Sequence, residues 1–416
     1  MPPIPAAVES KLTQVQTRVL ILLALSVCIN YIDRTTLSVA APRLATELGI
    51  DPEQKGILLS AFFYTYALCQ IPAGWLVDRY DVRWVFGAGF LLWSGATLAT
   101  GLCSGFAVLL AMRLLLGMGE SVAYPSYSKI VAGNFPQTHR GVANALIDMA
   151  SKTGPALGTL LGGLLVANYG WRSLFIGIGA VSLIWLIPWA IWGPKDRALA
   201  ISHSAAAPGI LEILSKRDAW GTFFGLFGAN YIWYFLLTWL PSYLVEQRHF
   251  SENMMAKLGA LPFFMIALSS LISGWASDRM IARGGSPTRV RKFFAATGLF
   301  MGLLVLPAAL VEDRVLCMMI LVAASLCFGM CTSNLWAITQ TLAGPAASGK
   351  WTGLQNGFGN LAGVVAPHLT GLIVKQTHSF VLAFAAAAAA AAVGGLAFLL
   401  VVGKIEPIQW RARPIV

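Results

Sequence analysis

Arg34 and Glu120 are charged residues set inside long apolar runs, and their chemistry is the first thing this chain offers. Arg34 lies fifteen residues into the run 19–42, within Asn30-Tyr31-Ile32-Asp33-Arg34, and Glu120 lies fourteen residues into the run 106–128. An arginine near the middle of a membrane helix costs several kcal/mol unless it faces a polar cavity or a partner. Its planar fork of donors matches a carboxylate in a bidentate way. Burial favours a neutral carboxyl, whereas a neighbouring guanidinium favours the ionised one. A ligand carboxylate that takes over Arg34 therefore frees Glu120 to accept a proton. That makes Arg34 an expected anion-binding residue and Glu120 an expected proton carrier, against the alternative of an ion pair that only ties helices together. Asp33 is a second proton-site candidate. It sits about 100° around a helix from Arg34, so the two cannot point at the same spot.

Further embedded residues extend the constellation. Asp148 and Lys152 stand four apart in the run 141–168, where Lys152 either pairs with Asp148 or adds positive potential for an anion. Arg113 is read as a structural tie. Trp233, Tyr234, Asn334, Trp336, Gln340, Asn356 and Asn360 are read as cavity-lining candidates, with Trp336 and Asn356 foremost.

These side chains need helices in a membrane to position them. The chain has 416 residues, 57% hydrophobic and 11% charged, against the roughly 25% charge usual in soluble domains. Twelve apolar runs are each long enough to span about 30 Å of hydrocarbon: 19–42, 56–77, 84–103, 106–128, 141–168, 173–192, 218–245, 256–277, 293–311, 315–341, 351–374 and 379–403. The net charge of +11 does not signal nucleic acid. With the amino terminus inside, nineteen of the 29 Lys/Arg fall in cytoplasmic segments and seven in external ones, the bias that sets membrane topology. The expected partners are a lipid bilayer, a small organic anion and protons, with no nucleic acid and no cofactor or metal, and the expected oligomeric state is a monomer. The six cysteines lie in apolar runs and read as small packing residues. An intramembrane enzyme is disfavoured, since neither a His-Glu-x2-His set nor a Gly-x-Gly-Asp pair is present.

The chain repeats itself. Gly74-Trp75-Leu-Val-Asp78-Arg79-Tyr-Asp-Val-Arg83 recurs 200 residues later as Gly274-Trp275-Ala-Ser-Asp278-Arg279-Met-Ile-Ala-Arg283. The same offset aligns Asn30-Tyr31-Ile32 with Asn230-Tyr231-Ile232, and an offset of 212 aligns Gly117, Asn144 and Pro155 with Gly329, Asn356 and Pro367. This predicts parallel repeats: an amino-terminal six-helix bundle over 1–193, a cytoplasmic linker over 194–217 and a carboxy-terminal bundle over 218–416, with a ligand site between them. Asp33 and Arg34 correspond to Trp233 and Tyr234, Glu120 to Thr332, and Lys152 to Val364. The first half is thus expected to handle charge and the second to supply neutral contacts.

The repeated Gly-x3-Asp-Arg-x3-Arg turn resembles the signature of the major facilitator superfamily, with Asp81 where glycine is usual. Within it, the chain resembles the anion:cation symporter family. The matching pieces are Asn30-Tyr31-x-Asp33-Arg34-x2-Leu37-Ser38-x-Ala40-x-Pro42, Gly117-x-Gly119-Glu120-x3-Tyr124-Pro125, Phe135-Pro136 with Arg140-Gly141, Gly170-Trp171-Arg172-x2-Phe175, and Gly353-x2-Asn356-x2-Gly359-Asn360-x2-Gly363. The resemblance implies an all-α membrane protein of twelve transmembrane helices in two pseudo-symmetric bundles, working by alternating access in a bacterial inner membrane with both termini cytoplasmic. It implies proton-coupled import of an organic anion, foremost a sugar acid of the hexonate, hexuronate or glucarate type. Aromatic or other carboxylates are the alternative, and proton-antiport drug efflux is a more distant one. By the same motifs Arg34 and Glu120 are tied to anion binding and proton coupling, and Tyr31 and Tyr66 are cavity-facing. Asp78, Arg79, Arg140 and Asp278 are expected to gate the cytoplasmic side.

Overall fold

In the computed structural model, which describes residues 12–135, 137–194 and 208–410, the chain is built of helices. Eleven of the helices among the described residues are long and apolar enough to cross a membrane: α1 (Gln14–Leu48), α2 (Pro52–Val77), α3 (Val82–Thr100), α4 (Phe106–Val131), α6 (Trp171–Trp192), α7 (Arg217–Gln247), α8 (Glu252–Ala282), α9 (Pro287–Leu310), α10 (Arg314–Gly344), α11 (Lys350–Thr377) and α12 (Val381–Val401). The remaining long helix, α5 (Gln137–Tyr169), has 33 residues and carries Asp148 and Lys152. The twelve form two six-helix bundles. Of the expected linker, 195–207 lies outside the described residues.

Local chemistry sets where these helices start and stop. α1 runs well beyond its apolar core at both ends. Thr13 and Gln16 form a reciprocal capping box at its start, and Gly49 closes its end with a left-handed φ of 65°. Asp51 caps α2 in the same way, accepting from the Gln54 amide at 2.8 Å. Asp81, the departure from the usual glycine, is the cap of α3. Its φ of −60° requires no glycine, and its carboxylate accepts from the Arg83 amide at 2.9 Å. Trp171, in the Gly-Trp-Arg motif, donates to Glu47 at 2.7 Å, and Arg172 binds the same carboxylate, pinning the start of α6 to the end of α1. α10 and α11 abut at a single kink, Gly344, whose φ of 62° is the left-handed conformation glycine adopts without strain.

Two contacts decide the position of the site. α5 lies directly on α1 because Gly154 and Gly158 face it. A Cβ at Gly158 would stand 2.1 Å from Thr35 Oγ1, and one at Gly154 would stand 2.6 Å from Tyr31 Cβ. Small residues four apart permit this close crossing. Gly117 does the same for α4 on α2, where a Cβ would meet the Phe62 carbonyl at 2.3 Å. α4 and α5 thereby present Glu120 and Lys152 to the region where α1 carries Arg34.

The two bundles meet tightly at one end, the end of the α1–α2 turn. The ion pairs that join them among the described residues all lie there: Lys55–Glu246 at 2.6 Å, Arg43–Glu252 at 3.5 Å, and Lys375 with Glu53 at 2.7 Å and Asp51 at 3.2 Å. Ser60 also donates across the boundary to the Val364 carbonyl at 3.1 Å. Lys55 is only 5% exposed and stands 5.1 Å over the Trp239 ring.

Candidate functional site

Between the bundles is a cavity of about 400 Å³. Arg34 and Tyr66 mark its depth. Asp148, Gln340 and Thr352 line it nearer the linker end, since Gln340 is close to the end of α10 and Thr352 to the start of α11. It lies on the side away from the inter-bundle ion pairs.

The Arg34 guanidinium is held from two directions. Its Nε–H donates to Glu120 Oε2 at 2.8 Å, with the two side chains 4% and 0% exposed. Around it stand three aromatic rings, with centroids 4.7 Å away for Tyr31, 4.8 Å for Phe62 and 4.7 Å for Tyr66. A desolvated cation over such a face gains on the order of 2 kcal/mol. Tyr31 is itself fixed by a 3.1 Å hydroxyl contact with Tyr124. The Nη2 of Arg34 is buried without a hydrogen bond among the described residues.

The helical geometry argument for Asp33 holds. Its side chain turns away from Arg34 to α3, where Thr97 donates to Oδ1 at 3.2 Å, and it is fully buried. Arg113, expected as a structural tie, is 5% exposed and stands 5.8 Å from the Phe62 ring centroid. Among the described residues, Asp33 Oδ2, Arg113 Nε, Glu120 Oε1 and Asn30 Nδ2 also lack hydrogen bonds. Unsatisfied polar atoms so concentrated are uncommon in a folded interior.

All six residues expected to touch a ligand line the cavity: Arg34, Tyr31, Tyr66, Lys152, Trp336 and Asn356. Lys152 donates to both oxygens of Asp148 at 2.6 Å while still lining the cavity. Opposite them, among the described residues, the second bundle contributes only neutral groups, including Asn230, Trp233, Tyr234, Thr332, Gln340 and Asn360. Tyr234 donates to Asn360 Oδ1 at 2.6 Å, and Asn360 donates to the Asn356 carbonyl at 2.9 Å.

One expected lining residue is elsewhere. Asn334 is fully buried and accepts from Arg291 at 3.0 Å, away from the cavity. Of the expected gate, Asp278 pairs with Arg291 at 2.5 Å, and Arg79 lies 5.4 Å from the Trp75 ring centroid. The side chains of Asp78 and Arg140 lie outside the described residues. Sequence reasoning left Tyr124, Asn230 and Thr352 out of the site. Tyr124 had a usable signal, since it is one turn beyond Glu120.

The family model of the Major Facilitator Superfamily matches residues 23–367. The probable galactarate/D-glucarate transporter GarP of Escherichia coli (strain K12) is 31% identical over 97% of this chain and 98% of its own length. The hexuronate transporter of Bacillus subtilis (strain 168) is 30% identical over 94% of each chain. In fold, the chain is similar to a bacterial homolog of the human lysosomal transporter Spinster in an inward-facing, unoccupied conformation, with a TM-score of 0.76, 19% identity, and coverage of 94% of this chain and 95% of that one. With twelve helices, two bundles and a cavity between them, the chain belongs to the Major Facilitator Superfamily of multi-pass membrane transporters.

Proposed function

We propose that this protein imports a small organic anion, a sugar acid, together with protons. The observation that carries this reading is Arg34. It is a buried guanidinium at the cavity wall, engaged by Glu120 through Nε alone, with Nη2 left without a hydrogen bond among the described residues. A substrate carboxylate takes that fork and displaces Glu120, whose carboxyl then carries a proton. Substrate and proton each promote the other's binding because both compete with the same ion pair. Asp33, close behind on α1, is a second proton site.

The neutral wall suits the rest of a sugar acid. Asn230, Gln340, Asn356 and Asn360 offer amides to hydroxyl groups, while Trp233, Trp336 and the tyrosines offer faces to the carbon chain. Two relatives named for galactarate/D-glucarate and hexuronate support the substrate class. With both termini cytoplasmic in a bacterial inner membrane, the sealed end is external and the cavity opens inward. The halves 1–193 and 218–416, joined by 194–217, then rock about the site, with Asp78, Arg79, Arg140 and Asp278 closing the cytoplasmic side in the opposite state.

Reconstitution tests this. Proteoliposomes given an inward proton gradient should concentrate labelled galactarate, galactonate or galacturonate above equilibrium, and a protonophore should abolish the excess. Binding of these acids with no response to the gradient would remove the coupling. Efflux against the proton gradient would replace import with antiport.

A further inference from the structure

The cavity holds a second cation–carboxylate pair besides Arg34–Glu120. Arg34 and Lys152 are the two cations among its described lining residues, and Asp148 is the one carboxylate. The two pairs are alike in form and opposite in burial. Glu120 is 0% exposed, whereas the Asp148 side chain is 58% exposed and Lys152 only 16%. The Asp148 carboxylate can therefore swing into cavity water, leaving the ammonium behind. Glu120 has no such exit.

The register of α5 on α1 gives the spacing. Gly154 abuts Tyr31 and Gly158 abuts Thr35, so the two helices run parallel with residue 157 level with Arg34. Lys152 stands five residues nearer the linker end, a rise of about 7 Å. A short carbon chain with a carboxylate at each end spans such a gap. Between and opposite the two cations lie the neutral hydrogen-bonding groups of the second bundle.

We propose that the cavity is a two-headed site for a dicarboxylate, with one carboxylate on Arg34 and the other on Lys152, where Asp148 holds the second position until the substrate arrives. This rests on the sugar-acid reading of Arg34 and deepens it. A monocarboxylate of the same length engages Arg34 and leaves Lys152–Asp148 closed. The two heads then have different tasks: displacement at Arg34 releases a buried acid for protonation, while displacement at Lys152 only selects the ligand.

The test compares galactarate with galactonate, which share a carbon skeleton and differ at one terminal carboxylate. Binding to the purified full chain is measured by calorimetry and by thermal shift. The wild type should bind galactarate at least tenfold more tightly. In Lys152→Gln the preference should collapse to near unity through loss of galactarate affinity, and the galactonate-dependent thermal shift shows that the variant is folded. Asp148→Asn frees Lys152 from its competitor, so the galactarate preference should persist or grow. A wild type that binds both acids equally would overturn the two-headed site and leave the sugar-acid reading intact. So would a Lys152→Gln variant that keeps its preference, or an Asp148→Asn variant that loses it as Lys152→Gln does. If neither acid binds the wild type, the sugar-acid reading fails and this proposal fails with it.

Discussion

The two bundles share one frame and divide the cavity's chemistry between them. Arg34 on α1 and Tyr234 on α7 occupy corresponding positions 200 residues apart, and both line the cavity. One is a caged guanidinium paired to a carboxylate. The other is a phenol that donates to Asn360 at 2.6 Å. Glu120 corresponds to Thr332, which donates to Ser270 at 2.6 Å. Charge in a membrane is affordable only where charges neutralise one another. Gathering them in one bundle lets Arg34, Glu120, Arg113 and Asp33 compensate locally. The other bundle keeps groups whose hydrogen bonds survive burial in any protonation state. The comparison teaches that affinity and coupling can be changed separately.

The largest expected effect is at Arg34. Arg34→Lys should reduce uptake at least a hundredfold, because a point charge does not reproduce the fork. Arg34→Ala should do the same and lower stability by roughly 3–5 kcal/mol, the cost of leaving a buried carboxylate unpaired. Uptake and calorimetric binding check this, and unaltered affinity in either variant would make the pair purely structural.

A smaller effect belongs to the neutral wall. Tyr234→Phe and Asn356→Ala should each weaken substrate affinity by roughly five- to tenfold, the scale of about 1–1.5 kcal/mol for one hydrogen bond. The pH dependence of binding should remain that of the wild type. A change in its slope would break the division between the halves.

The smallest effect is at the sealed end. Lys55→Gln removes a pair whose glutamate stays partly exposed and should shift the population of the sealed state a fewfold, read as spin-label distances across that end. The Asp51 carboxylate there is held below its usual range by the Gln54 amide, then by Lys375. Its contribution is present at neutral pH and is lost only as pH falls through that depressed value. The distances should therefore hold through mildly acidic pH and widen only at pH below the ordinary carboxylate range. Widening near pH 6 would assign the seal to other groups.

The sequence disclosed the charged wall better than the neutral one, for a physical reason. An arginine or glutamate in an apolar run must have a partner, so Arg34 and Glu120 could be matched without coordinates. The 100° step between neighbouring residues was enough to send Asp33 elsewhere, and it faces Thr97. An asparagine in a membrane helix is satisfied by a cavity or by a neighbouring helix, and spacing alone does not choose. Asn334 was placed on the cavity, yet Arg291 takes it. Tyr124 entered only as part of a matching motif, because aromatic rings pack everywhere in membrane helices and its spacing alone does not single it out. Helix ends were drawn short because capping by Thr13 and Gly49 carries α1 beyond the hydrocarbon-length run. The place where the bundles touch depends on which alternating state is adopted, and no single sequence pattern encodes that.

The central claim is that Glu120 couples protons to an anion on Arg34, and Glu120→Gln in proteoliposomes tests it most directly. Glutamine imitates the permanently protonated carrier. Accumulation driven by a pH gradient requires proton release and should be lost. Counterflow exchange of labelled for unlabelled substrate requires only reorientation of the loaded carrier and should survive. Anion affinity should rise in the wild type as pH falls and become nearly independent of pH in the variant. A variant that still concentrates substrate on a proton gradient, with wild-type pH dependence, would contradict the account and move the coupling to Asp33.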